Sequence, residues 1–311
     1  MKVAQKAALD FAVERIDVVQ LDVARRPDGL LAGHDLMSPY VWEADGRTRM
    51  LVRVLANPLE TNDPTGVIYS GHSDDGLFFT VDEQPALEPG VDGDPDAGGV
   101  EDPTVVIGKE PHLMVFYTGV DAARDQGSLL VCSGSDLMHL QKDKVLLTAP
   151  EGAGNVKEAT VAQGADGQWR LFFEYAKDNA SRIGLAVADS PAGPWEVAED
   201  PFTIRESLWD TWHLSTGPIL AREGQPPVMF YNGATADARW RIGWVAFDEN
   251  YSKVVDRCIE PLLVPPPPKE RAGTDIAFAA SCLDRVPDIL LYYSLEDRLL
   301  RRAIVRQLKA V

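Results

Sequence analysis

The sequence predicts an all-β chain folded as a five-bladed β-propeller. Three observations lead there: five polar corners, each followed by a pair of apolar runs; a spacing of about 60 residues between corners; and strand-like alternation with little helical periodicity. At 311 residues, 45% hydrophobic and 25% charged, the chain has the composition of a globular protein, so disorder is expected only at its ends.

Each repeat is a corner of polar or small residues, an apolar strand, a turn, and a second strand that ends in an aromatic residue or Arg before small and acidic residues. The first is MSPYVWEADGRTRMLVRVLAN from Met37. The plan returns as VEDPTVVIGKEPHLMVFYTGVD from Val100, VKEATVAQGADGQWRLFFEYAKD from Val156 and STGPILAREGQPPVMFYNGATAD from Ser215, and closes as AASCLDRVPDILLYYSLED from Ala279. The corners fall near residues 39, 103, 159, 218 and 281. A third strand-like run follows each: GVIYSGHSDDGLFF, GSLLVCSGSDLMHL, SRIGLAVADSPAGPWEV, WRIGWVAFDENYSKV and RLLRRAIV. Turn signals separate the runs, among them ADG at Ala165, DG at Asp75 and PAGP at Pro191.

One such unit cannot bury both of its faces, so neighbours must stack; short strands at a single period are expected to pack radially as the blades of one domain over residues 1–311. The first thirty residues are read as the strand that leads into the first blade or as an arm that closes the ring. The prolines at 265–268 are read as a stiff connector between blades four and five. Two β-sandwiches divided near Pro265 would not call for five matching corners.

The formal charge of −18, with a pI near 4.6, repels phosphate polymers and anionic membranes, which argues against nucleic acid and membrane partners. Cys132, Cys258 and Cys282 are odd in number and far apart, so they are expected to be reduced, buried thiols. Asp10, Glu14 and Arg15 interrupt the apolar stretch near the N-terminus, which therefore lacks a signal-peptide core, and a cytoplasmic location is expected. The five histidines have no metal-ligand spacing, and no cofactor motif is present. Self-association is left open.

Read in order, GVEDPTVV, VFYTGVD, GNVKEATV, STGPIL, MFYNGATADARWRIGWVAFD and YYSLED resemble the landmarks of glycoside hydrolase family 130, the five-bladed β-mannoside phosphorylases and mannosidases. The resemblance runs from about Met37 to Ile304. It implies cleavage, with inversion, of a β-mannosidic or similar bond in an oligosaccharide, by water or by phosphate. Inversion needs one carboxylic acid to protonate the leaving oxygen and an activated nucleophile on the opposite face. The corners of a propeller can aim scattered acids into one axial funnel.

The family's third-blade corner is Asn-x-Lys-Asp, its Asp the proton donor; this chain has Asn155, Lys157 and Glu158, which makes Glu158 the expected donor. Phosphorylases of the family hold phosphate with a His-Arg stretch after the next strand and a His in Tyr-His-Gly. Here FFEYAKD puts Glu174 at the arginine position, and FYNGATAD puts Asn232 at the histidine. A carboxylate repels phosphate but can deprotonate water, so Glu174 is the candidate general base, with an ion pair to Arg182 as the structural alternative.

Asp102, with Glu101 beside it, matches the family's sugar-binding aspartate, although Thr104 stands where the family often has Arg. Arg53 matches a position that would hold hydroxyls or fix a catalytic carboxylate, and Asp297 a late aspartate that contacts the terminal sugar. Ser73, Tyr117, His213, Asp237 and Arg241 are candidate subsite walls, although His213, between Trp212 and Leu214, also fits a structural histidine. Three activities remain open: an inverting hydrolase; a phosphorylase using Lys177, Arg182, Arg239 or Arg241; and a propeller that binds carbohydrate without turning it over.

Overall fold

The computed structural model describes residues 9–22, 31–108, 113–149, 151–270 and 273–308. It is a five-bladed β-propeller. The chain opens with β1 (Phe11–Val18) and β2 (Gln20–Leu21). Blade one contains β3 (His34–Ala44), β4 (Arg47–Ala56), β5 (Val67–Ser73) and β6 (Phe78–Leu87), with β2 parallel on its outer edge. Blade two contains β7 (Gly99–Ile107), β8 (Leu113–Val120), β9 (Gly127–Gly134) and β10 (Gln141–Leu147). Blade three contains β11 (Gly154–Gln163), β12 (Trp169–Lys177), β13 (Ala180–Ala188) and β14 (Glu196–Val197).

Blade four is two half-sheets. Its strands β15 (His213–Ser215), β18 (Asn232–Ala234) and β19 (Trp240–Ile242) continue into β16 (Ile219–Leu220), β17 (Val228–Met229), β20 (Val245–Phe247) and β21 (Val254–Arg257). Blade five contains β22 (Ala277–Arg285), β23 (Asp288–Leu295) and β24 (Leu299–Gln307), and β1 pairs antiparallel with β24 as its fourth strand. The N-terminal strand thus joins the last blade, and Arg302 on β24 reaches Asp17 on β1 at 2.9 Å. Residues 1–8 and 23–30 of the expected leading segment lie outside the described residues. Among those described, no helix is long and apolar enough to cross a membrane.

The core lies between blades because period-2 alternation gives each strand two apolar faces. In LFFEY, Phe172 packs toward Phe247 and Tyr251 across the interface with blade four, whereas Phe173 and Tyr175 join Phe116 and Val131 on the blade-two side. The thiols of Cys132 and Cys258 are buried, Cys282 is half-buried, and all three are free.

The corners are β-bulges in the innermost strands. Register shifts between Met37 and Tyr40, Glu101 and Thr104, Lys157 and Thr160, and Ala279 and Ser281, while blade four breaks its inner strand between Ser215 and Ile219. Polar side chains staple each corner to the next blade. Thr104 Oγ1 donates to Ala159 O at 2.6 Å, Thr160 Oγ1 to Gly217 O at 3.1 Å, and Ser281 Oγ to Pro39 O at 2.6 Å. The residue that departs from the family after Glu-Asp-Pro is therefore occupied in joining blades two and three.

Asn232 joins blades four and five. Fully buried, it donates Nδ2 to Thr216 O (2.5 Å) and Ala279 O (3.1 Å), and its Oδ1 accepts from Ala279 N at 2.7 Å. Asn232→Ala strands the Ala279 amide hydrogen and takes a donor from two carbonyls at a fully buried position. A loss of about 2–4 kcal/mol of unfolding free energy in urea titration is expected. A loss below about 0.5 kcal/mol would show that the staple is dispensable.

Candidate active site

A cavity of about 500 Å³ opens at one end of the propeller axis. Its lining comes from the starts of first strands (Asp35, Met37, Ser38, His213), the ends of second strands (Arg53, Leu55, Ser294) and the starts of third strands (Ser181, Trp240). First strands therefore run from the mouth toward the floor. Residues just past the bulges, including Tyr40, Thr104, Thr160 and Ser281, line a separate pocket of about 80 Å³ beneath it. The bulges sit at the floor, and they deliver Ser38, Asp102 and Glu158 into the cavity with φ of 50°, 48° and 55°. Asp297 and Ala238, in the second-to-third strand turns of blades five and four, line the same cavity at φ 53° and 55°. Non-glycine residues adopt this left-handed region at a cost of order 1–3 kcal/mol, a cost that concentrates at functional sites.

Charge pairs fix the floor. Arg53 donates Nη2 to Thr65 O at 2.7 Å and to Glu101 Oε1 at 2.6 Å, with Asp102 Oδ1 3.6 Å from Nη1. Gly66 makes this possible, because a Cβ there would meet Arg53 Nε at 2.9 Å and Val100 O at 2.5 Å. Burial pulls the Arg53 guanidinium toward neutrality, but the carboxylates of Glu101, Asp102, Glu158 and Asp297 outweigh it and raise its pKa. Burial in turn pushes Glu101 and Asp297 upward, against the pull of Arg53. Asp102 accepts from Ser38 Oγ at 2.7 Å and from Thr118 Oγ1 at 3.4 Å.

Glu158 is held by its backbone, and its side chain has no hydrogen-bond partner among the described residues. Its N–H donates to Thr118 Oγ1 of blade two at 3.3 Å, and its carbonyl accepts from Thr216 Oγ1 of blade four at 2.5 Å. Burial, then the negative charges of Asp102 and Glu174, push its carboxyl well above the ordinary carboxylate range, with Lys157 and Arg53 opposing. Glu174, almost fully buried, accepts from Ser181 Oγ at 2.8 Å and lies 3.7 Å from Lys157 Nζ, both on Oε1. Lys157 is held protonated chiefly by Glu174. Arg182 turns away, donating to Ser181 O and Trp212 O at 2.9 and 2.7 Å, so Lys157 rather than Arg182 is the partner of Glu174.

No family model matches the chain. It is 25% identical over 238 residues to a 1,2-β-oligomannan phosphorylase of Thermoanaerobacter sp., covering 75% of this chain and 76% of that protein. It is also 25% identical over 232 residues to a β-1,2-mannobiose phosphorylase of Listeria innocua, covering 72% and 62%. The solved structure of a Listeria innocua β-1,2-mannobiose phosphorylase with β-1,2-mannobiose superposes with a TM-score of 0.73 at 18% identity, over 90% of this chain and 92% of that one. Another belongs to work on the family-130 mannoside phosphorylases, described as containing glycoside hydrolases that target β-1,2 mannosidic linkages in Candida mannan. It gives a TM-score of 0.70 at 19% identity, over 87% and 84%. The chain is a divergent family-130-like propeller.

In this family-130-like chain, Arg53, Asp102, Lys157, Glu158, Glu174, His213 and Asp297 line one cavity. The other expected site residues lie elsewhere. Glu101 stands behind Arg53 as its counter-ion. Ser73 is a turn staple, bonded to Asp75 and to Gly76 N. Tyr117 is fully buried, its hydroxyl donating to Asp96 at 2.9 Å. Asn232 is consumed as the blade-four staple. Asp237 is exposed and paired with Arg239, and Arg241 pairs with Asp275 at 2.8 Å. These six are corrections: the side chains of Glu101, Tyr117, Asn232, Asp237 and Arg241 fall on an inter-blade face or outside the mouth, and Ser73 ends a third strand, at the end away from the cavity. Ser38, Ser181 and Trp240, by contrast, line the cavity without having been singled out. Ser38 occupies the first-blade corner, the position that Asp102 and Glu158 hold in theirs, and that equivalence was available in the repeats.

Proposed function

We propose that the protein hydrolyses a β-mannoside or related short β-linked oligosaccharide with inversion of anomeric configuration. The observation that carries this reading is Glu174: a buried carboxylate facing the cavity, anchored through Oε1 to Ser181 and Lys157, where the resemblance has a phosphate-binding arginine. Beside an anionic group already compensated by Lys157, phosphate meets like charge, whereas water meets a base. Arg53, the other permanent cation besides Lys157 among the described lining residues, is committed to Glu101 and Thr65.

In the reaction, Glu174 takes a proton from water as the water oxygen bonds to the anomeric carbon. The glycosidic C–O bond breaks, and Glu158, protonated because of its surroundings, gives its proton to the departing oxygen. Arg53, Asp102 and Asp297 hold the hydroxyls of the terminal sugar. The products are a free sugar of inverted configuration and the shortened oligosaccharide. The relatives named for 1,2-β-oligomannan and β-1,2-mannobiose make β-1,2-linked mannosides the first substrates to try.

The test is product analysis with and without about 10 mM phosphate, a concentration at or above usual substrate affinities. Free mannose at a rate unchanged by phosphate is expected. Mannose 1-phosphate formed only with phosphate would replace hydrolysis by phosphorolysis.

A further inference from the structure

The turn between β4 and β5, residues 57–66, reads NPLETNDPTG and is exposed from Asn57 to Asn62. Its last two residues nonetheless belong to the site. Thr65 O accepts from both Nε (3.1 Å) and Nη2 (2.7 Å) of Arg53, which sets the plane of the guanidinium and leaves Nη1 toward Asp102. Thr65 N donates to Gly98 O at 2.9 Å, and Gly66 O accepts from Val100 N at 3.0 Å. Leu59, the largest apolar side chain of the turn, is 42% exposed, so burial holds the outer part weakly. What holds it is Arg124, half-buried in the turn between β8 and β9 of blade two. Its Nη1 and Nη2 donate to Glu60 O at 3.2 and 3.3 Å, and Nη2 also donates to Asp63 O. Asp63 closes the same tip, its Oδ2 accepting from Glu60 N at 2.9 Å.

We infer that Arg124 is a positioning residue for Arg53: it pins the tip of the turn, so that Thr65 O holds the guanidinium in the plane in which it meets the terminal sugar. The sugar in this statement rests on the glycosidase reading above.

Arg124 does not line the cavity. It stands on the wall of a separate hollow of about 370 Å³, beside Asn62, Asp63 and Gly98, so any effect on a ligand at Arg53 must travel through the turn. Its own placement is rigid. Arg124 adopts a left-handed conformation, φ 61°, in a turn tied by its N–H to Asp121 O at 2.9 Å and by Asp121 Oδ1, which accepts from Asp125 N and Gln126 N at 2.9 and 3.0 Å. A non-glycine residue keeps that conformation where its surroundings over-determine it. The planar fork of a guanidinium can serve two carbonyls at once, which suits it to fixing a turn that offers backbone acceptors. Without the pin, a ten-residue turn exposed over most of its length regains conformational freedom. Arg53 then keeps Glu101 and Asp102 as partners but loses the fixed acceptor that sets its tilt.

Two readouts test the inference. In NMR of the nitrogen-labelled protein, the Nε–H signal of Arg53, assigned by its loss in Arg53→Lys, should exchange with solvent at least about tenfold faster in Arg124→Ala. In the Glu158→Gln background, calorimetry with β-1,2-mannobiose should show affinity lower by about fivefold or more in Arg124→Ala. With Arg53→Lys also present, the same substitution should change affinity by less than about twofold, because its path to the sugar is gone. An unchanged Arg53 signal, or an equal loss of affinity in both backgrounds, would overturn the positioning role and leave the glycosidase reading in place. If neither the unsubstituted chain nor any variant binds a mannoside, that reading falls instead, and the Arg53 signal alone decides whether Arg124 holds the guanidinium.

Discussion

Glu158→Gln is expected to lower kcat by about 10²–10⁴-fold while leaving KM within about threefold. The amide keeps the shape of the side chain but has no proton to give, so ground-state binding survives and only the bond-breaking step suffers. Substrates whose leaving group departs unaided should distinguish this from misfolding: an aryl β-mannoside with a low-pKa phenol should lose far less than mannobiose. An equal loss on both would mean that Glu158 is not the acid. The pH dependence follows from its environment. Because burial, Asp102 and Glu174 raise its folded pKa, the carboxyl stays protonated beyond the ordinary carboxylate range, and activity is lost as pH rises through that folded value. Stability has the same sign. The preference of the folded state for the proton is fully present below the unfolded pKa of about 4.3 and is lost as pH rises through the folded pKa. Glu158→Gln does not titrate, so its Tm should fall less than the wild type's between pH 5 and pH 8, and matching slopes would count against a raised pKa.

What the sequence made legible was the periodic part of the molecule. Five corners with paired strands are a pattern of residue types along the chain, and the bulges at Met37–Tyr40, Glu101–Thr104 and Lys157–Thr160 lie where that pattern breaks. The acids that face the cavity from these corners were visible for the same reason. What failed was the step from motif to side-chain direction. Tyr117 and Asn232 stand beside the small residues that end second strands, yet a strand turns alternate side chains to opposite faces, and theirs meet Asp96 and Ala279 between blades. Ser181 and Trp240 escaped notice because third strands carry no corner, so nothing in the repeat draws attention to their first residues. The partner of Glu174 depended on rotamers. Lys157 pairs with it across the β11–β12 ladder, while Arg182, three places along the next strand's start, spends its donors on carbonyls.

Glu174→Gln carries the sharper test, because two roles for this residue predict opposite products. As the base that activates water, Glu174 cannot be replaced by an amide, and free-sugar release should fall by about 10²–10⁴-fold with KM little changed. The amide still accepts from Ser181, so the wall keeps its form, but the charge that compensates Lys157 is gone. An ammonium lining the cavity without its counter-ion then attracts small anions. Azide, a nucleophile that needs no base, should therefore restore part of the turnover, and the glycosyl azide should have the inverted configuration. Phosphate should gain in the same variant, yielding sugar 1-phosphate that is not expected from the wild type. If Glu174 is only the ion-pair partner of Lys157, hydrolysis survives the substitution and neither anion adds a product. In that case the base lies elsewhere on the cavity wall, and the exclusion of phosphate loses its physical cause.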